Sequence, residues 1–135
     1  MNILLTGQPG VGKTTCIRAV VNMLADATST AQPHGFYTSE RRQRGVRVGF
    51  DMVCVASGDT APLASVAATS ASGEPRVGKY TVHAAELQRF AVPRLALDAG
   101  AGLIICDEIG KMELCSSTFL PQVRHPDRRL HSVRQ

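Results

Sequence analysis

Gly7-Gln8-Pro9-Gly10-Val11-Gly12-Lys13-Thr14 is the stretch in which residue type and spacing most directly specify chemistry. Its glycines let the backbone curl so that several N–H groups point inward, and a helix opening near Lys13 adds its positive end at the same spot. Such a cradle of amides binds phosphate. Lys13 would then reach the outer phosphates of a nucleoside triphosphate and the Thr14 hydroxyl would hold Mg²⁺, with Thr15 adjoining them at the helix start. A Gly-rich turn that binds nothing needs neither the Lys-Thr pair nor the third glycine, so the stretch reads as a phosphate-binding loop.

The second half of the chemistry lies about 95 residues on, where Leu103-Ile104-Ile105-Cys106 runs into Asp107-Glu108. An unpaired carboxylate is costly to bury, so two adjacent acids should emerge at the carboxyl edge of a buried strand. In an open parallel sheet that edge is where ligands sit. Asp107 is placed to hold Mg²⁺, directly or through water, and Glu108 to orient and deprotonate an attacking water.

These residues need elements to position them. Asn2 to Thr6 predicts a buried central strand, followed by a helix whose apolar face is Ile17, Val20, Val21 and Leu24 and which ends near Ala27. Phe36-Tyr37-Thr38 predicts a second strand, and Val46 to Met52 a half-buried one with Val46, Val48, Phe50 and Met52 on one side. Between them Arg41-Arg42-Gln43-Arg44-Gly45 reads as a hairpin loop, in which an arginine, Arg44 foremost, is a candidate to swing over bound triphosphate. Otherwise the arginines are a solvated hairpin tip. Gly58 to Pro62 predicts a turn, Ala67 to Pro75 a flexible loop and Val77 to Val82 a strand. A helix with Leu87, Phe90 and Ala91 inward follows, kinked or restarted at Pro93 and ended by Asp98 to Gly102.

Composition sets the bounds. With 135 residues, 44% hydrophobic, the chain can build one compact domain, expected over 1–120. The net charge of +4 gives little support to nucleic-acid binding, because 1–120 carry eleven Lys/Arg against ten Asp/Glu while 121–135 carry four Arg against one Asp. That basic tail has no apolar periodicity and is expected to be disordered. Cys16, Cys54, Cys106 and Cys115 lack metal-type or C-x-x-C spacing and read as reduced core thiols. No apolar run is long enough for a bilayer, and the first strand begins too early to leave room for a signal peptide. A soluble cytoplasmic protein is expected, monomeric with weak self-association.

The blocks Gly7 to Thr14, Gly35-Phe36-Tyr37-Thr38, Val48-Gly49-Phe50-Asp51, Arg76 to Tyr80 and Asp107-Glu108-Ile109-Gly110-Lys111-Met112-Glu113-Leu114 together resemble the cancer-related nucleoside-triphosphatase family. The resemblance spans residues 2–120 and implies a P-loop α/β fold: a mainly parallel central sheet flanked by helices, with an inserted β-hairpin. It implies slow, Mg²⁺-dependent hydrolysis of ATP, GTP and other nucleoside triphosphates to the diphosphate with loose base selectivity. On the same basis Lys111 and Glu113 become second-tier site candidates, the alternative being a surface ion pair. Members of that family continue with further strands and helices, so the carboxyl-terminal strands are expected to be missing, leaving open sheet edges. After a short helix opening near Ser116 or Ser117, the present sequence runs into its basic tail. A nucleotide or small-molecule kinase with Arg41 to Arg44 as its lid, and a nucleotide-binding module without catalysis, are the rival readings.

Overall fold

The computed structural model describes residues 3–26, 32–66, 73–96 and 102–124. Helix α1 (Lys13–Asp26) is followed by strands β1 (Pro33–Gln43), β2 (Val46–Cys54), β3 (Thr60–Ser65), β4 (Arg76–Val77) and β5 (Tyr80–Val82). Helix α2 (Ala84–Arg94), strand β6 (Leu103–Asp107), a single 3₁₀ turn at Glu113–Cys115 and helix α3 (Phe119–Val123) complete them. All six strands form one sheet in the order β4-β5-β3-β2-β1-β6.

The sheet is mixed, which corrects the expectation of a mainly parallel one. Among the described residues only β1 with β6 is parallel, and every other pairing is antiparallel. Short connections dictate this: β1 to β2 is joined by two residues and β2 to β3 by five, and connections that short can only reverse a strand. The hairpin expected as an insertion is therefore the body of the sheet. Its turn is tighter than the sequence suggested, with Arg41 and Arg42 inside β1. Arg44 and Gly45 alone turn the chain, at φ of 48° and 79°, the left-handed pair that a two-residue hairpin demands. The strand expected from Val77 to Val82 is likewise a hairpin, β4 and β5, turning at Gly78.

A larger correction concerns Ile3, Leu4 and Leu5. No strand forms there among the described residues; the three side chains are 79%, 56% and 45% exposed. A continuous apolar run is stable as a strand only when both of its faces are covered. Among the described residues β6 pairs with β1 alone and α1 buries none of its residues, so none of them forms a layer over residues 3–5.

The core lies on the other side of the sheet. Leu87, Phe90, Ala91 and Leu95, on or just after α2, are buried with Phe36, Met52, Leu63 and Val82 from the strands. Phe119 of α3 meets Phe36 edge-on at 6.2 Å between ring centres. Helix α2 runs through Pro93, which sits in its last turn, so no second helix starts there. Phe36 points into this core, so Tyr37 points away from it, towards the Arg18 guanidinium of α1 at 5.9 Å. The helices thus flank both faces. In β2 a register irregularity at Phe50/Asp51 shifts the expected alternation, so that Gly49 and Met52 are both buried while Val46 is 62% exposed. Residues 67–72, 97–101 and 125–135, where the flexible loop, the Asp98 break and the basic tail were expected, lie outside the described residues. The cap of α3 is Thr118 rather than Ser116 or Ser117.

Gly35 fixes how closely β6 can lie. It stands opposite Ile105 in the parallel register, with φ of +103°, and a Cβ there would fall 1.8 Å from the Ile105 carbonyl oxygen. Neither strand can yield to that overlap without breaking ladder bonds. Gly35→Ala is expected to destabilise the protein by about 3 kcal/mol or more, read as a lowered urea midpoint. An unchanged midpoint would mean that β6 is not held in this register.

Candidate functional site

The glycine loop is exposed from Gly7 to Val11 and half-buried at Gly12, with Gly10 and Gly12 at φ of 78° and 100°, and α1 opens at Lys13 directly behind it. Val11 N–H donates to the Gln8 carbonyl at 3.3 Å and Cys16 N–H to the Gly12 carbonyl at 2.9 Å. The Lys13 ammonium folds back over the loop, donating to the Gly7 carbonyl at 2.8 Å and the Gln8 carbonyl at 3.0 Å. One flexible cation thus lies against the loop, beside the amino end of a helix. Both features favour an anion.

Asp107 is brought to this loop by the parallel pairing. Tyr37 of β1 stands opposite Asp107, the last residue of β6, and the carboxyl is only 6% exposed. Burial raises its pKa, against the opposing influence of a side-chain hydrogen bond with Thr14 and the charge of Lys13. Its Oδ2 atom is buried with no hydrogen-bond partner. Residues 13–14 and 107, far apart in the chain, therefore meet at one strand end. Thr15 is exposed on the first turn of α1.

Beyond Asp107 the chain turns through Glu108, Ile109, Gly110 and Lys111. Glu108 and Lys111 are exposed, whereas Glu113 is 2% exposed and its Oε2 accepts the Gly110 N–H at 2.9 Å. The Lys111 carbonyl accepts from the Cys115 thiol at 3.4 Å. Burial, aided by the negative charges of Glu108 and Asp107, pushes the Glu113 carboxyl up to about 7 from 4.5. The surface ion pair considered for Lys111 and Glu113 is not formed, because Glu113 points inward. Its neighbour Gly110 was not singled out as a site residue. The only sequence signal for its role is a glycine placed between two acids.

The raised Glu113 pKa has a thermodynamic consequence. Below about pH 4.5 both folded and unfolded chains hold the proton; between 4.5 and 7 the unfolded chain releases it first, so folding stability falls as pH rises through that window. Glu113→Gln removes the titration. The variant's stability relative to the parent is expected to rise by about 3 kcal/mol from pH 4.5 to pH 8, measured by chemical denaturation at each pH. A difference that stays constant with pH would contradict the burial of an ionisable group there.

The arginines of the hairpin are placed differently. Arg41 pairs with Asp51 at 3.0 Å, Arg42 with Glu40 at 2.7 Å, and Arg47 with the same Glu40. Arg44 sits at the tip, roughly 20 Å along the strand beyond Tyr37. The structure therefore brings Lys13, Thr14 and Asp107 together and places Glu108 and Glu113 on the adjoining turn, with Arg44 apart from them.

A mixed sheet flanked by helices, with its parallel strand pair ending beside a glycine loop, defines an α/β protein, and its structure matches that of a solved nucleoside triphosphatase. Residues 2–126 match the family model described as NTPase, and the chain belongs to that family. It is 43% identical over 131 residues to the cancer-related nucleoside-triphosphatase homolog of Mus musculus, covering 91% of this chain and 67% of the relative. The nucleoside-triphosphatase THEP1 of Thermofilum pendens is 42% identical over 123 residues, covering 90% and 65%. The solution structure of a human cancer-related nucleoside triphosphatase superimposes with a TM-score of 0.70 at 42% identity, covering 87% of this chain and 65% of that one. The chain thus spans about two thirds of the length of these relatives.

Proposed function

We propose that this protein is a hydrolase that cleaves nucleoside triphosphates to the diphosphate and phosphate at the site where Gly7 to Thr14 meets Asp107. The observation that carries the reading is the Asp107 carboxyl, buried beside Thr14 and Lys13 with one oxygen unpartnered. A buried acid kept without a full set of partners is costly unless something else uses it. The P-loop assignment rests on the same juxtaposition together with the family membership.

In this reading the loop amides and the start of α1 receive the β- and γ-phosphates. Lys13 leaves the Gly7 and Gln8 carbonyls for the phosphate oxygens and neutralises charge that builds up on the transferring group. Glu108, exposed beside Asp107, accepts a proton from the attacking water and aligns it with the γ-phosphorus. The Thr14 hydroxyl and the free Asp107 oxygen are hard oxygen donors of the type Mg²⁺ takes, and among the described residues no group of three or more His, Cys, Asp or Glu offers a self-contained metal cage. That fits Mg²⁺, which is commonly held by one or two protein oxygens plus the phosphates. When bound, it would supply charge stabilisation to the phosphoryl oxygens. All of these roles address phosphate and none addresses the base, so base selectivity should be loose.

The kinase alternative gains nothing from the hairpin, since Arg41 and Arg42 are committed to ion pairs within the sheet. No described helix is long and apolar enough to cross a membrane. The apolar surface of Ile3, Leu4, Leu5, Val20 and Met23 is consistent with weak self-association. The test of function is phosphate release from ATP, GTP, CTP and UTP with and without Mg²⁺. Comparable release from all four, lost without the metal, is the expected result. Transfer of labelled phosphate to an acceptor hydroxyl, or nucleotide binding with no release, would contradict hydrolysis.

A further inference from the structure

We infer that Glu113 is a positioning residue for Glu108: by gripping the Gly110 amide it fixes the turn that aims the Glu108 carboxylate at the site. This deepens the hydrolysis reading and rests on it. Two observations carry it. The Glu113 side chain is buried, and its Oε2 accepts the Gly110 N–H at 2.9 Å, closing the loop between the end of β6 and the 3₁₀ turn that begins at Glu113 itself. Independently, a Cβ on Gly110 would come within 2.7 Å of Glu108 Oε1 and 2.9 Å of Glu113 Oε2, so both carboxylates converge on the space that the glycine leaves empty. Without that space Glu108 could not lie back along the turn. The acid at 113 is thus an anchor, and the acid at 108 is the group it places.

A side chain that acts only by accepting a hydrogen bond can be replaced by one that keeps the acceptor. Glu113→Gln retains a carbonyl oxygen for the Gly110 N–H, whereas Glu113→Ala does not. Misplacing a catalytic group by about 1 Å costs up to about 10²-fold in rate. Glu113→Ala should therefore lower kcat for ATP by roughly 10- to 100-fold with KM within about twofold of the parent. Amide exchange at Gly110 should accelerate in the same variant. Glu113→Gln should restore both. Gly110→Ala provides a second route that keeps the Glu113 side chain: the added Cβ would displace the ends of Glu108 and Glu113, 2.7 and 2.9 Å away, so the turn must shift and kcat should fall.

A Glu113→Gln variant as slow as Glu113→Ala, Gly110 exchange unchanged in Glu113→Ala, or Gly110→Ala turning over at the parental rate would each overturn the proposal. Glu108→Gln is run alongside. If it hydrolyses ATP like the parent, the assigned role of Glu108 fails, and the positioning of that role with it. The exchange of the Gly110 amide needs no turnover and separately decides whether Glu113 holds the turn.

Discussion

Glu108→Gln is expected to bind nucleoside triphosphate as tightly as the parent and to hydrolyse it 10²- to 10⁴-fold more slowly. The substitution keeps the size and the polar reach of the side chain but removes its ability to accept a proton. Glu108 is exposed, so the change should leave the fold nearly unaltered. The phosphate-holding groups, residues 7–14, are untouched. Binding of a fluorescent ATP analogue, paired with phosphate release on the same preparation, separates the two effects. Parental turnover would remove Glu108 from the chemistry, and lost binding would move it into the phosphate site.

Lys13→Ala should act on both quantities. Its ammonium is the one positive charge on the loop and also ties the Gly7 and Gln8 carbonyls together at 2.8 and 3.0 Å. Removing a donor aimed at developing transition-state charge typically costs 10²- to 10³-fold in rate. The variant is expected to lose that much in kcat and to weaken nucleotide binding as well, because the ground-state phosphates are also anions. Both hydrogen bonds are exposed and individually modest, so the urea midpoint should stay close to that of the parent. A variant with normal binding and turnover would leave the loop without a phosphate role.

Much of the candidate site was legible because its chemistry is local. The loop needs three glycines, a lysine and a hydroxyl within eight residues, and the acid needs only to end an apolar run. Helix α2 was legible for a similar reason: Leu87, Phe90 and Ala91 recur at helical spacing and all three are buried. What the sequence could not supply was strand direction. The run from Phe36 to Val82 announces strands, but whether a given strand runs parallel or antiparallel depends on connection length, which shifted once Arg41, Arg42 and Pro62 proved to lie inside strands. Ile3 to Leu5 misled for the opposite reason: local character says buried strand, while burial requires neighbours that these residues do not have here. Glu113 was noticed only through the family resemblance. A charged residue six places after a strand end gives no periodic sign of burial, and its inward turn depends on the Gly110 amide.

Hydrolysis at this site requires the loop at 7–14 and the turn at 107–113 to serve one ligand. Hydrogen–deuterium exchange with and without ATP and Mg²⁺ addresses this directly. Amides of both segments should slow together on nucleotide addition, while those of the β4–β5 hairpin, at the far end of the sheet, should not change. Slowing confined to one segment, or spread evenly over the sheet, would show that they do not share a site.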